Sequence, residues 1–318
     1  MRSIPLLTLL LGGWFVVPAH ADDAQNWLTR LGQAEQQQSF NGTFVYERNG
    51  SFSTHNIWHR VQDGKVRERL LQLDGSAQEV VRIDGHTQCV SGTLIAGLGD
   101  SPNSTARALD PQKLKNWYDL AVIGKSRVAG RPAVIVSLTP RDQHRYGFEL
   151  HLDKETGLPL KSLLLNDKGQ LLERFQFTQL NTADVPSDSD LRAGADCKTV
   201  NLDSDKASAA KVTQAWHSDW LPPGFELTSS SARKDPETKT QVNSLLYDDG
   251  LARFSVFLEP LNGATVTDTR TQLGPTVAVS RRLTTPQGEM MVTVVGEIPI
   301  GTAERIALSM RTDATATK

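Results

Sequence analysis

Apolar residues along this chain recur first at helical spacing, then at every second position, and helical spacing returns only briefly. Between residues 23 and 38, Ala24, Trp27, Leu28, Leu31 and Ala34 lie three or four apart, which predicts an amphipathic helix. From Phe40 onward the period is two, in short runs at 40–48, 54–60, 65–73, 78–84 and 86–91. The runs are separated by Asn49-Gly50, Asp63-Gly64, Asp74-Gly75 and Asp84-Gly85. Such dipeptides tolerate the positive φ angles of tight hairpin loops, so the pattern predicts an antiparallel meander. Asp110-Pro111 then opens a short helix, with Asp as cap and Pro at the first helical position, and sets Leu114, Trp117 and Tyr118 on one side. Alternation resumes at 119–128, 133–138, 146–152, 159–165 and 171–180, so this half reads as one long curled sheet with two helices.

Residues 181–214 lose all periodicity and fill with Asp, Ser, Ala and Lys, which is the composition of a linker. A second set of apolar runs follows at 225–229, 242–247, 252–258, 276–283 and 290–298. After Pro299, Ala303, Ile306, Ala307 and Met310 fall at i, i+3, i+4 and i+7, a helix that packs on the preceding strands. The expected architecture is α+β and mostly β: a larger domain at 22–180, a linker at 181–214 and a smaller α+β domain at 215–318.

The first residues change the picture. Arg2 precedes a charge-free apolar run from Ile4 to Val17, followed by Ala19-His20-Ala21. Fourteen residues fall short of the roughly 20 that a spanning helix needs, so residues 1–21 read as a secretory signal peptide cut between Ala21 and Asp22, with an uncleaved anchor as the rival. Export implies an oxidising compartment. The two cysteines, Cys89 and Cys197, then form one disulfide on the economical reading, against two unpaired buried thiols on the other. With 34 basic and 36 acidic residues, net charge −2, no global field draws the chain to nucleic acid or an anionic bilayer.

Catalytic signatures are missing from the sequence: there is no Gly-x-Ser-x-Gly, no His-Glu-x-x-His and no phosphate-binding glycine loop. No cofactor is expected. His55 and His59 have zinc-helix spacing but lie in a strand, where four residues span roughly 13 Å, so they read as surface histidines. Asp248-Asp249 precedes Gly250 and reads as turn chemistry rather than an acid/base pair. Phe44 and Tyr46 share one strand face, and Ile57 shares one with His55 and His59. Together with Trp117 they either fill the interior of the curled sheet or line a slot for acyl chains. Arg60, Arg67, Arg69 and Arg82 form either a solvated basic face or a rim meeting lipid phosphates. In the C-terminal part Trp220, Phe225, Tyr247, Phe254 and Phe257 are candidate peptide contacts, and strand alternation makes Phe257 the exposed one.

Four segments carry a resemblance: Leu70-Leu71-Gln72-Leu73-Asp74-Gly75, Trp220-Leu221-Pro222-Pro223-Gly224-Phe225, Leu246-Tyr247-Asp248-Asp249-Gly250-Leu251 and Val295-Gly296-Glu297-Ile298-Pro299. They are similar, in order and across both parts, to those of the RseB/MucB regulators. The resemblance implies a noncatalytic periplasmic negative regulator of the envelope-stress (sigma-E or AlgU) response. Its partner would be the periplasmic region of a membrane-spanning anti-sigma factor of the MucA/RseA type, shielded from site-1 proteolysis and released when lipid or lipopolysaccharide fragments bind. It also implies an N-terminal unclosed β-barrel like that of the lipoprotein carriers LolA and LolB, with helices across its mouth. A carrier of that class is the alternative function, disfavoured by the second domain. A homodimer is left open. The two cysteines belong to none of the matching segments.

Overall fold

The computed structural model describes residues 21–76, 78–92, 109–200, 216–234, 240–286 and 288–312. Residues 1–20 of the segment read as a signal peptide lie outside them. Helix α1 (Ala21–Gln37) precedes the meander β1 (Phe40–Arg48), β2 (Ser51–Gln62), β3 (Lys65–Gln72), β4 (Glu79–Ile83) and β5 (His86–Ser91). At three of the four hairpins both loop residues have positive φ, +52° and +73° at Asn49-Gly50, +52° and +72° at Asp63-Gly64, and +50° and +77° at Asp84-Gly85. These two-residue loops match strand twist, and their grip extends β2 beyond the expected 54–60 at both ends. The fourth, around Asp74-Gly75, is a longer loop closed by the Gln72 N–H donating to the Gln78 carbonyl at 2.8 Å.

Helix α2 (Pro111–Leu114) is capped by Asp110, whose side chain accepts from the backbone N–H of Gln112 and Lys113. Five strands follow: β6 (Tyr118–Val128), β7 (Arg131–Pro140), β8 (Gly147–Asp153), β9 (Pro159–Leu165) and β10 (Leu171–Asn181). With β11 (Lys198–Thr199) they complete one antiparallel sheet in the order β11-β5-β4-β3-β2-β1-β10-β9-β8-β7-β6. Its end strands β11 and β6 do not pair, so the sheet curls without closing. Helix α1 buries Ala24, Leu28 and Leu31 against Leu120, Val134, Val136 and Leu152, and Ala34 against Phe40, Phe44 and Phe177. Arg30 fixes it to the β8–β9 turn by donating to the carbonyls of Lys154 (3.2 Å) and Glu155 (3.1 Å).

The segment read as a linker divides. Its first part is not free chain: Leu191 is buried, Asp188 pairs with Arg60, and β11 adds to β5. Tertiary contacts override a composition that favours loops, while residues 201–215 lie outside the described part. The second domain holds β12 (Trp216–Ser218), β13 (Glu226–Lys234), β14 (Gln241–Asp248), β15 (Arg253–Pro260), β16 (Thr269–Leu273), β17 (Thr276–Thr285), β18 (Gly288–Gly296), α3 (Ile300–Ser309) and β19 (Met310–Thr312). Six strands form a sheet in the order β13-β14-β15-β18-β17-β16, and β12 pairs with β19. Ala303, Ile306 and Ala307 of α3 close the core over Val277, Val279, Val292 and Val294.

Candidate functional site

The inner face of the half-barrel is built from cross-strand ring pairs. Phe40 lies opposite His59 and Phe44 opposite His55, with stacked rings whose centroids are 4.8 Å and 5.0 Å apart. Phe175 and Phe177 complete the cluster around Phe44, at 4.7 Å and 5.9 Å. His55 and His59, expected at the surface, are therefore buried, because strand alternation sets them on the same face as Ile57, beneath α1. His59 Nε2 lies 3.0 Å from the Glu35 carbonyl and Nδ1 3.3 Å from Glu68, which ties the end of α1 to the sheet. His55 Nε2 meets Ser53 Oγ at 2.8 Å, while its buried Nδ1 has no hydrogen-bond partner among the described residues. Burial holds His55 below its ordinary 6.5, against a smaller upward pull from Asp74. Phe44 is in this core; Tyr46 and Ile57 are half-buried at its margin. The Tyr46 hydroxyl donates to Glu173 at 2.6 Å, and burial followed by that carboxylate pushes its pKa up.

The arginines do not join this site. Trp58 and Arg60 alternate with Ile57 and His59, and the register sets Arg69 opposite Trp58 and Arg67 opposite Arg60. All four therefore occupy the outer face. There the chain after β10 lies over them: Arg60 pairs with Asp188 at 2.6 Å, and Arg69 bonds Glu79 at 2.6 Å and the Asp190 carbonyl at 3.0 Å. Arg67 is the more open one, at 39% side-chain exposure and 3.5 Å from Asp188. It borders a recess of about 230 Å³ formed with Arg60, Gln62, Asp63 and Lys65. Arg82 turns the other way and pairs with Glu68 at 3.0 Å. Phe44, Tyr46 and Ile57 thus lie on one face of the sheet, and Arg67 and Arg69 on the other.

Trp117, grouped with them from sequence, sits in a third place: the joint between the two domains. Gly224, at φ +87°, faces the Trp117 ring so closely that a Cβ there would collide with it. Beside this contact Arg145, whose side chain is wholly buried, donates to Asp249 Oδ2 and to the Pro223 carbonyl, each at 2.5 Å, and to Asp142 at 2.9 Å. Its guanidinium is 5.1 to 5.7 Å from the ring centres of Phe225, Tyr118 and Trp117. Burial pushes the Asp249 carboxyl up, while the N–H groups of Leu251 and Ala252 and then Arg145 pull it back. The joint is completed by Tyr146 Oη donating to the Ile298 carbonyl (3.1 Å), Lys113 pairing with Glu226 (2.8 Å) and Arg48 bonding Thr276. Asp248-Asp249 does perform turn chemistry, accepting from Gly250, Leu251 and Ala252 N–H groups. Its second role, across the joint, has no local sequence signal, since Arg145 is more than 100 residues away.

Of the candidate peptide contacts, Phe225, Tyr247 and Phe254 are core, with Tyr247 and Phe254 stacked at 5.0 Å. They present no surface to a partner in this conformation. Trp220 is half-buried under Arg305 (3.8 Å) and against His144 of the other domain (5.0 Å). Phe257 lies on the sheet face opposite the helix, half-buried, among Ser244, Thr293 and Ser280 in register. Cys89 and Cys197 form a disulfide with Cα atoms 5.4 Å apart. Among the described residues no group of three or more His, Cys, Asp or Glu could hold a metal, and no helix is long and apolar enough to cross a membrane.

Fold and joint define a two-domain, mainly β scaffold in which an unclosed sheet is locked to a smaller α+β unit. The chain belongs to the MucB/RseB family: residues 23–195 match the MucB/RseB N-terminal domain and residues 210–311 the MucB/RseB C-terminal domain. It is 64% identical to the "Sigma factor AlgU regulatory protein MucB" of Pseudomonas aeruginosa over 320 residues, covering 100% of both chains. The Pseudomonas aeruginosa MucA/MucB complex superposes with a TM-score of 0.82 at 64% identity, over 92% of this chain and 100% of that one. A crystal structure of MucB superposes with a TM-score of 0.69 at 60% identity, over 92% and 98%.

Proposed function

We propose that this chain is an exported, noncatalytic regulator that acts in the periplasm on a sigma-E/AlgU-type response. It binds the periplasmic region of a MucA/RseA-type anti-sigma factor and shields that region from site-1 proteolysis. Lipid or lipopolysaccharide fragments binding to the half-barrel release it. The observation that carries this reading is likeness along the whole length: one relative, named for AlgU regulation, aligns end to end at 64% identity. Superposition on a MucB chain in complex with MucA, at 0.82, also exceeds that on MucB, at 0.69. In this reading the domain arrangement, set at the Arg145 joint, is what partner and lipid compete over. Release then requires unequal affinity of the two arrangements for the partner. A tenfold difference corresponds to about 1.4 kcal/mol of coupling, and the effect of partner on lipid must equal that of lipid on partner. For acyl chains to enter, α1 has to yield its contact with the Phe40–Phe44–Phe177 cluster. Phe257 is the candidate partner contact, since its ring is half-exposed on a face that α3 leaves uncovered.

The test is titration of the purified mature chain with the anti-sigma periplasmic region. Binding is expected, and Phe257→Ala should weaken it about tenfold with little change in Tm, the ordinary size of an aromatic contact at an interface. No association would overturn the function. Unchanged affinity with a lowered Tm would make Phe257 a structural residue and move the contact elsewhere.

A further inference from the structure

The segment that leaves β10, in the middle of the sheet, crosses the outer face and ends at the β5 edge. Besides the bond from Arg69 to the Asp190 carbonyl, three features hold it on the way. Asp188, an exposed carboxylate, pairs with Arg60. Leu191 is buried at 2% exposure, and the Gly194 N–H donates to the Glu79 carboxylate at 3.0 Å, a carboxylate itself held by Arg69. Beyond Gly194 the packing ends: residues 195, 196, 198 and 199 are exposed. What remains is the two-residue strand β11, in which Lys198 lies opposite Val90 and Thr199 opposite Cys89, the Val200 N–H donating to the Gln88 carbonyl at 2.9 Å, and the Cys89–Cys197 disulfide. Two exposed residues of strand with no buried side chain cannot hold an edge by backbone hydrogen bonds alone, because isolated short pairings in water are marginal. The covalent bond is what keeps β11 in place.

We propose that Cys89–Cys197 is a redox-operated latch on this edge: closed, it keeps β11 paired over β5; reduced, it lets residues 195–200 lift away while the segment up to Gly194 stays docked. The two sulfurs are unequally open. Cys89 is 6% exposed within β5, whereas Cys197 is half-buried between exposed neighbours, so a reductant reaches Cys197. A thiolate of a dithiol reductant attacks Cys197 Sγ, forming a mixed disulfide and expelling the Cys89 thiolate. The second thiol of the reductant then closes on the first, releasing the Cys197 thiolate and leaving the reductant oxidised; two electrons pass to the protein and the thiolates take up protons from water. Release has two consequences. The backbone groups of β5 that face β11 become an open sheet edge, the kind of surface that accepts an added strand. The stretch held on the N-terminal domain also ends earlier, at Gly194 rather than at Val200.

Hydrogen exchange of the full mature chain, oxidised and after treatment with dithiothreitol in native buffer, tests this. Reduction should speed exchange at least tenfold in residues 195–200 and at the β5 amides that face β11, and leave β1, β2 and the Leu191 region unchanged. The double variant Cys89→Ser/Cys197→Ser should show the same pattern; if it fails to fold, the reduced native chain still decides. Reduction that occurs only in denaturant, or equal exchange in the two forms, would overturn the latch. So would loss of protection throughout the N-terminal domain, which would make the bond a global staple.

Discussion

At the level of single residues, Asp249 and Arg145 show where chemistry was legible and where it was not. The Asp-Asp-Gly run announces a turn, and both carboxylates accept the N–H groups such a turn leaves open. That one of them also meets a buried cation on the other domain depends on tertiary placement, which no local spacing encodes. Replacing Arg145 with Met leaves Asp249 buried without its cation, and removing one partner of a buried pair typically costs about 3–5 kcal/mol. The expected loss in urea-unfolding stability should be partly recovered by adding Asp249→Asn, with a coupling of roughly 1–3 kcal/mol. A single variant as stable as the parent would show that the joint does not rest on this pair. Ala129 offers a smaller test: with φ of +48° before Gly130 it occupies a left-handed position that favours Asn. Ala129→Asn should raise stability by about 0.5–1 kcal/mol, and an unchanged Tm would contradict that reading of the turn.

At the level of elements, periodicity located the strands because one face of each is buried, and the Asn-Gly and Asp-Gly pairs fixed three hairpins. It failed where burial does not alternate. Strand β16 is exposed at all five residues and carries no pattern, and β11 is defined by a disulfide rather than by side-chain alternation. The inner face also illustrates how alternation separates what sequence proximity suggests. Arg67 and Arg69 neighbour the aromatic strands, yet their parity sends them outward. His55 on the inward face, His144 at the joint and His151, on the face of β8 opposite Leu150 and Leu152, are all held below 6.5, in each case first by burial. A histidine depressed in the fold stabilises it fully above the unfolded value of 6.5, and that contribution is lost as pH falls through the folded value. Melting temperature should therefore drop between about pH 7 and about pH 5, and His55→Phe, which keeps the ring on Phe44, should flatten the slope. A variant with the parent's slope would remove His55 from the account.

At the level of the whole molecule, two domains were visible as two blocks of alternation separated by a polar stretch. Their joint was not, because it is assembled from the β7–β8 turn, α2 and the loops around Gly224, Asp249 and Ile298, which are scattered along the chain. Under the proposed function this joint matters more than any single pocket, since a regulator that works by binding transmits a signal by changing how its parts are held. The family's sequence segments point to the same place: Pro223-Gly224-Phe225 and Asp248-Asp249-Gly250 supply the carbonyl, the glycine, the ring and the carboxylate that meet Arg145 and Trp117. The most direct test is protection. The anti-sigma periplasmic region should be cleaved by site-1 protease at least tenfold more slowly when the mature chain is present in saturating amount, and lipopolysaccharide fragments should restore cleavage. Cleavage at the same rate with and without the chain would contradict the central claim.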